Sequence, residues 1–263
     1  RLGHRLRRGP LYRPIPAPLW SSDELLQAAA SYFHLDPAVC RQRYQTYQAF
    51  SQQKGYAQTL GENRTLNFEE AFLLYLAALR LRPAQAVEIG VQHGKSTRRI
   101  LDILRLIRPD SQLTAFDIVD QLRFVSHDEV KLILHDLSED FESAVLHDLA
   151  PGLIFVDTRP YDLLKNVITS FLEWSLEHPS LLAIHDCTIR LYNPHMRVPR
   201  SAPHLVSSRT GTWERHVLSE IFGLPPRQLD EVRTPTHHLR IFGTRHGIAL
   251  LAPLSVLEAA ETA

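Results

Sequence analysis

The sequence predicts an α/β fold, a doubly wound and mostly parallel sheet of seven strands that follows an N-terminal helical extension. Between Pro83 and Asp186, short apolar runs alternate with longer amphipathic stretches at intervals of roughly 20 to 30 residues, which is typical of βαβ units. A second indication is the pair Gly90 and Gly94, which directly follows the first apolar run. Sheets of this kind bind ligands at such turns, beyond the carboxyl ends of their strands.

The apolar runs and the amphipathic stretches define the individual elements. An Asn67–Glu70 pair has the spacing of a helix N-cap and predicts that a helix follows it. Seven runs are predicted strands: Ala86–Ile89, Leu113–Phe116, Val130–Leu134, Leu153–Val156, Leu181–Ile184, Leu239–Phe242 and Ile248–Leu251. Five stretches are predicted helices: Ala71–Leu81, Ser96–Leu106, Phe141–Leu149, Leu163–Trp174 and Trp213–Phe222.

The first 60 residues differ in composition from the rest of the chain. Residues 1–20 are rich in Pro and Arg and predict an extended arm, whereas residues 22–58 have helix-start chemistry and a helical repeat of Tyr44, Tyr47 and Phe50. An aromatic repeat of this kind packs in a core more often than it holds a cofactor. We therefore divide the chain into an arm with a helical cap (1–60) and a ligand-binding domain (61–263), and the helices are the candidate surface for a homo-oligomer.

Composition narrows the range of partners. The chain has 29 basic and 29 acidic residues and a formal net charge of zero, so we expect no nucleic-acid partner. No apolar run reaches the length of a membrane span, so we expect no membrane partner either. The two cysteines, Cys40 and Cys187, form neither a disulfide framework nor a metal-binding spacing, which predicts a cytoplasmic protein.

The turn after the first strand indicates the kind of ligand. A dinucleotide fingerprint has a glycine where this chain has Gln92, and an acidic residue, Glu88, lies at the end of the strand. A carboxylate there disfavours a pyrophosphate and favours the ammonium group of a methionine moiety. Asp117 ends the second strand, where a carboxylate accepts hydrogen bonds from both hydroxyls of a ribose.

These residues resemble a known family. The segments Val87–Gly90, Ala115–Asp117, Leu153–Asp157 and Ala183–Asp186 are similar to those of the class I S-adenosylmethionine-dependent methyltransferases, especially the cephalosporin-hydroxylase-like and sugar O-methyltransferase branch. The resemblance covers 67–252. It implies a Rossmann-like sheet in the order 3-2-1-4-5-7-6 with the last strand antiparallel. It also implies that S-adenosylmethionine is bound by Glu88, Gly90, Gly94, Ser96, Asp117 and Asp136; for Asp136, helix capping is an equal alternative.

A second group of residues bears on the chemistry. Asp157 and Asp186 follow neighbouring strands, and in the sugar O-methyltransferases that the chain resembles such carboxylates bind a divalent metal ion, which makes them candidate Mg²⁺ ligands. Relatives carry an acidic pair where this chain has His185 and Asp186, and strand alternation would separate these two side chains unless the strand has ended. His185 is therefore the alternative, a general base, with His127 and His135 behind it.

The sequence thus predicts a methyltransferase that methylates a hydroxyl of a small molecule, such as a sugar or a secondary metabolite. N-methylation at the same site is one alternative. The other is a non-catalytic cofactor-binding module of a larger assembly, tethered by the Arg-rich arm. The loop from Cys187 to Gly211 would form a lid over the acceptor in a catalytic protein.

Overall fold

A computed structural model describes residues 19–60, 66–158, 160–187 and 213–259. Most of the predicted Arg-rich arm and most of the predicted lid lie outside these residues. Its helices are α1 (Ser22–Phe33), α2 (Pro37–Lys54), α3 (Tyr56–Thr59), α4 (Phe68–Leu81), α5 (Lys95–Ile107), a π-helix (Glu142–His147), α6 (Tyr161–Trp174), α7 (Trp213–Phe222), a 3-10 turn (Pro226–Gln228) and α8 (Leu254–Glu258).

The sheet confirms the predicted fold class but has eight strands instead of seven. The strands are β1 (Gln85–Ile89), β2 (Gln112–Asp117), β3 (Lys131–Leu134), β4 (Leu153–Val156), β5 (Leu181–Ile184), β6 (Glu231–Arg233), β7 (His237–Phe242) and β8 (Ile248–Pro253). Their order is β3-β2-β1-β4-β5-β8-β7-β6, with β1 to β5 parallel and the last three pairings antiparallel. The additional strand is β6, a three-residue edge strand too short to give a sequence pattern.

Both faces of the sheet are covered. Because side chains alternate along a strand, Ala86 faces a core formed with α1, α2, α4, α5 and α8, whereas Val87 faces a core formed with the π-helix, α6 and α7. Strand order reverses at β1, between β2 and β4. This reversal opens a crevice at the carboxyl ends of these strands, which is where the predicted ligand-binding residues lie.

The N-terminal helices pack on the first of these faces. Tyr47 of the aromatic repeat is fully buried and stacks on Tyr75 of α4 with 5.2 Å between ring centroids. The Arg80 guanidinium donates hydrogen bonds to the carbonyls of Phe33 and Leu257, which joins α1, α4 and α8. The aromatic repeat therefore forms core. Within the described ranges, no helix is long and apolar enough to cross a membrane.

Candidate cofactor cavity and metal centre

A cavity of about 740 Å³ opens at the carboxyl ends of β1 to β4. Its size is within the usual range for small-molecule sites. The lining includes Gly90 and Ser96 from the turn after β1, and one acidic residue from the end of each of the next three strands: Asp117, Asp136 and Asp157. The register explains this convergence, since Ile89 pairs with Phe116 on one side and with Val156 on the other.

The glycines of the turn are required by its backbone. Gly90 and Gly94 have φ values of 87° and 78°, in the left-handed region that favours glycine. A Cβ at Gly90 would lie 2.1 Å from the carbonyl oxygen of Asp157. Gly90 therefore allows β1 and β4 to approach each other at the cavity. Gln92, between the two glycines, also has a positive φ of 50°, a conformation that costs a non-glycine residue energy.

Glu88 lies behind the lining of the cavity. Its side chain is fully buried, and the Ser96 hydroxyl, which does line the cavity, donates a 2.5 Å hydrogen bond to Oε1. The other oxygen, Oε2, is buried and has no hydrogen-bond partner among the described residues. Burial raises the pKa of Glu88 to about 8, although the hydrogen bond from Ser96 opposes the rise. A buried carboxyl group with one unused oxygen is a favourable neighbour for a cationic ligand group.

Asp117 organises the turn itself. Its Oδ2 accepts hydrogen bonds from the backbone N–H groups of Val91 at 3.0 Å and Gln92 at 2.8 Å. Its Oδ1 accepts a 2.7 Å bond from Ile118 N–H and a longer one, 3.4 Å, from Val119 N–H. Each carboxylate oxygen accepts about two hydrogen bonds, so Oδ2 is filled, and Oδ1 can accept from a ligand hydroxyl only if its long bond from Val119 is given up. The predicted contact with both ribose hydroxyls would thus need part of this network to open.

Asp136 lies on the rim of the cavity after β3. Its Oδ1 accepts hydrogen bonds from the Ser138 backbone at 3.0 Å and from the Ser138 hydroxyl at 2.6 Å. These bonds form a tight turn, and the next helix has Phe141 as its N-cap. Asp136 therefore does not cap that helix, and its side chain lines the cavity together with His135 and Ser138.

Asp157, His185 and Asp186 meet at the ends of β4 and β5. The strand ends at Ile184, and Asp186 has a positive φ of 59°, so the alternation that would have separated His185 from Asp186 no longer applies. His185 Nδ1 lies 3.4 Å from Asp157 Oδ2 and 3.6 Å from Asp186 Oδ1. One ligand atom from each of the three residues lies within 4.8 Å of the others, which is a spacing suited to a metal ion.

Glu70 fixes the orientation of the His185 ring. His185 Nε2 donates a 3.1 Å hydrogen bond to Glu70 Oε2, and both side chains are buried. Burial raises the pKa of Glu70, but the hydrogen bond and charge of His185 oppose it and the result is a pKa of about 2. Since ionised Glu70 only accepts, Nε2 carries the hydrogen, and in the neutral ring Nδ1 presents its lone pair to the two aspartates.

The His185 pKa reflects the same surroundings. Burial lowers it, but Asp157 and Glu70 raise it well above the usual value for histidine. Two carboxylates and a ring nitrogen lone pair repel one another unless a proton or a cation lies between them. Nδ1 has no hydrogen bond of acceptable geometry to any described residue. One imidazole nitrogen and two carboxylate oxygens therefore suit a divalent transition metal ion better than they suit Mg²⁺.

Sequence reasoning did not select two residues of this network. Glu70 is the third residue of α4 and completes its capping box by accepting from the N–H of the N-cap residue, Asn67, at 2.9 Å, and that role alone accounted for its position in the sequence. Its other oxygen accepts from Thr244 Oγ1 and His246 N–H, which lie about 175 residues away. His246 stands with its Nδ1 3.8 Å from Asp186 Oδ1. No spacing of residues in the sequence predicts the contacts that Glu70 and His246 make.

The other residues considered for chemistry lie outside the Asp157–His185–Asp186 group. His127 Nε2 is 2.9 Å from Asp120 Oδ2, and His135 Nε2 is 2.7 Å from Asp140 Oδ2, in both cases at exposed positions. Cys187 is fully buried, and burial raises the pKa of its thiol well above the usual value. A thiol in that state is a poor nucleophile, which agrees with a packing role.

The similarity of this chain to known proteins lies in the three-dimensional structure and not in the sequence. No protein-family model matches the sequence, and no curated protein matches it significantly. Among solved structures, the SAH-bound methyltransferase PaMTH1 of Podospora anserina has 11% identity and a TM-score of 0.47, covering 90% of this chain and 98% of that one.

Two further solved structures have a similar fold. The O-methyltransferase TomG of Streptomyces achromogenes, in complex with SAM, has 12% identity and a TM-score of 0.45, covering 89% of this chain and 91% of that one. CmcI with Mg and SAM has 21% identity and a TM-score of 0.35, covering 43% of this chain and 49% of that one.

Proposed function

We propose that this protein is an S-adenosylmethionine-dependent O-methyltransferase that acts on a hydroxyl group of a small molecule with the help of a divalent metal ion. The observation that supports it most is the adjacency of two sites: a cavity with a glycine turn and acidic strand ends, and a convergent Asp157–His185–Asp186 group whose Asp157 belongs to both. Methyl transfer requires the donor and an acceptor hydroxyl to lie next to each other, and Asp157 lies where the two sites adjoin.

The cavity residues fit the donor. Its adenosine moiety would lie against Asp117 and Asp136, whose carboxylates line the ends of β2 and β3. Its methionine moiety would lie near the Gly90–Gly94 turn and Ser96. Behind Ser96, the Glu88 carboxyl group becomes a counter-charge for the ammonium group as it ionises, because its Oε2 has no other described partner. Asp117 would hold the turn in place and offer Oδ1 to one ribose hydroxyl.

The residues of the second site fit a metal ion. Asp157, His185 Nδ1 and Asp186 would be its ligands, with Glu70 accepting the other ring hydrogen of His185, an arrangement that fixes the tautomer of a metal-binding histidine. When bound, such a cation supplies a Lewis acid that lowers the pKa of an acceptor hydroxyl. Mn²⁺ accepts both carboxylate and imidazole ligands, so we expect it to bind more tightly than Mg²⁺.

The chain itself positions the reactants. Asp157 has its backbone N–H bonded to the Ile89 carbonyl, which holds the acceptor side against the turn that binds the donor. Four hydrogen bonds to Glu70 keep that carboxylate from moving, and Glu70 in turn holds the His185 ring. An acceptor with two neighbouring hydroxyls suits this geometry, because one of them is free to react while the other is held.

The test has an activity arm and a binding arm. With labelled S-adenosylmethionine and a panel of hydroxylated sugars and phenols, we expect methyl transfer that a chelator abolishes and that Mn²⁺ or Mg²⁺ restores. Asp186→Asn should lose most turnover but keep its affinity for S-adenosylhomocysteine. Electron paramagnetic resonance of Mn²⁺ should report binding to the wild type and at least tenfold weaker binding to His185→Gln.

The control is Asp120→Asn, which changes an acidic residue paired with an exposed histidine outside this group. We expect wild-type turnover and Mn²⁺ affinity in this variant. Full turnover in the presence of chelator, together with a large loss of turnover in His185→Gln, would indicate that His185 acts as a general base and that no metal ion is needed. Wild-type turnover in Asp186→Asn would contradict both versions.

A further inference from the structure

A second cavity, of about 540 Å³, lies beside the Glu70 network, because two of its lining residues, Asn67 and Thr244, hydrogen-bond to Glu70. It is formed by the start of α1 and the residues before it, by α2, α3, the start of α4, α5 and the turn after β7, and its lining includes Tyr44, Tyr56 and Arg99. It shares no lining residue with the cofactor cavity. Its volume is that of a small-molecule site, and the function proposed above makes no use of it.

The feature of interest in this cavity is Arg99. Its side chain is 3% exposed, and neither Nε nor Nη1 has a hydrogen-bond partner among the described residues. The preceding residue, Arg98, shows how this helix satisfies a guanidinium elsewhere: its Nη1 and Nη2 donate to Glu129 at 2.8 and 2.5 Å. No carboxylate of a described residue accepts hydrogen bonds from Arg99 in this way, although Arg99 lines the cavity.

The contacts that Arg99 does make are weak ones for a buried cation. Its guanidinium carbon lies 4.9 Å from the centroid of the Tyr56 ring, a cation–π contact. A buried charge with unfilled donors is costly, and proteins keep such groups where a ligand fills them. The planar guanidinium donates in parallel pairs, which match the oxygens of a carboxylate or a phosphate.

The other groups in the lining indicate the rest of the ligand. Arg245 adds a second positive charge and Glu69 one negative charge, so the charged side chains of the lining sum to a net positive charge. The rings of Trp20, Tyr44 and Tyr56 supply an apolar wall. Hydroxyl and amide groups of Ser51 and Gln48 supply further donors on the α2 side. These features together favour a small organic anion over a bare ion.

We propose that this cavity is a binding site for a small molecule that carries a carboxylate or phosphate group, and that Arg99 binds the oxyanion. The ligand's body lies against the aromatic wall. The site is distinct from the donor cavity and does not depend on the proposed methyltransferase function. It adjoins the proposed metal site through Asn67 and Thr244, which line this cavity and hydrogen-bond to Glu70.

Calorimetric titration of the whole chain with two probes tests the proposal. Inorganic phosphate represents the phosphate group, and 4-hydroxybenzoate represents a carboxylate on an aromatic body. We expect at least one probe to bind the wild type with a Kd of about 1 mM or tighter, with saturating S-adenosylhomocysteine present as well as absent. Binding of phosphate alone would identify a phosphate ester as the ligand class, and binding of 4-hydroxybenzoate alone would identify a carboxylate.

Variants separate Arg99 from general charge effects. Arg99→Gln should weaken the bound probe at least tenfold, because two charge-assisted hydrogen bonds are lost. The matched control is Arg105→Gln, which removes the same charge from the same helix but outside the cavity, and it should change the Kd less than twofold. Ala57→Trp, at an exposed position of the lining, keeps Arg99 and should also weaken binding at least tenfold by filling the cavity.

The Ala57→Trp arm keeps the test decisive if Arg99→Gln fails to fold. The proposal is overturned if neither probe binds the wild type, which is also the result expected if another part of the chain fills the cavity. It is equally overturned if Arg99→Gln and Arg105→Gln bind with the same affinity, or if Ala57→Trp binds as the wild type does.

Discussion

Replacing Glu88 with glutamine should change how the stability of the ligand-free protein depends on pH. Burial raises the pKa of this carboxyl group to about 8 from an ordinary value of 4.5. Between these two values the folded protein holds a proton that the unfolded chain has released, so stability falls as the pH rises through the window. The difference of about 3.5 pH units corresponds to about 5 kcal/mol once the pH is above 8.

Glutamine is nearly the same shape but does not titrate, so Glu88→Gln should not show this decline. Urea unfolding at pH 5, 7 and 9 measures it. The free energy of unfolding of the variant minus that of the wild type should increase by about 4 kcal/mol from pH 5 to pH 9. Glu173→Gln, the same change at an exposed position of α6, is the matched control and should run parallel to the wild type.

Saturating S-adenosylhomocysteine should reduce the decline in the wild type, because the ligand's ammonium group favours the ionised carboxylate. Parallel curves for Glu88→Gln and the wild type would refute the reasoning. They would mean that Glu88 is ionised in the empty protein and already has a counter-charge, so that its unused oxygen indicates nothing about a ligand.

Three further predictions follow from single contacts. Asp117→Ala should weaken S-adenosylhomocysteine binding at least tenfold in calorimetry, because the turn loses the acceptor for Val91 and Gln92 N–H. Asp117→Asn keeps one oxygen and should lose less affinity. Equal affinity of the wild type and Asp117→Ala would contradict this prediction. Gly90→Ala should destabilise the protein by more than about 3 kcal/mol in urea unfolding, because its Cβ meets the Asp157 carbonyl. The control is Gly223→Ala, where φ is 65° and no atom lies within 4 Å, and it should cost only about 1–2 kcal/mol. Similar losses of stability in the two variants would argue against the close approach of β1 and β4 at Gly90. Cys40 and Cys187 should both resist a thiol reagent at pH 8 in the folded protein, since burial raises the pKa of Cys40 to about 11 and that of Cys187 well above its usual value. Two thiols should react after unfolding, and rapid labelling of the folded protein would contradict their burial.

Local patterns were enough to predict most of the fold. The strands β4 and β5 are continuous apolar runs whose residues are all buried, because helices cover both faces of the sheet there, and the starts of α1 and α4 carry capping boxes. The short edge strand β6 was missed because it has only three residues, and these carry no periodic signal. Val232 is partly buried and the other two are exposed. The eighth strand is therefore a property of the tertiary structure.

The candidate site was predictable only in part. Residues at the ends of consecutive strands are brought together by the topology, which is why Asp117, Asp136 and Asp157 could be selected from their positions. Glu70 could not, because its capping role in α4 accounts fully for its place in the sequence. Its contacts with Thr244 and His246 form only when the turn after β7 folds over α4, a long-range event with no local signature.

The central claim is that the cavity at the ends of β1 to β4 binds S-adenosylmethionine. Calorimetric titration with S-adenosylhomocysteine, and in parallel with NADH, tests it most directly because both ligands contain adenosine but differ in the charge they carry beyond it. We expect S-adenosylhomocysteine to bind with a Kd of about 1 µM or tighter and NADH to give no heat of binding. Tight binding of NADH without any response to S-adenosylhomocysteine would contradict the claim.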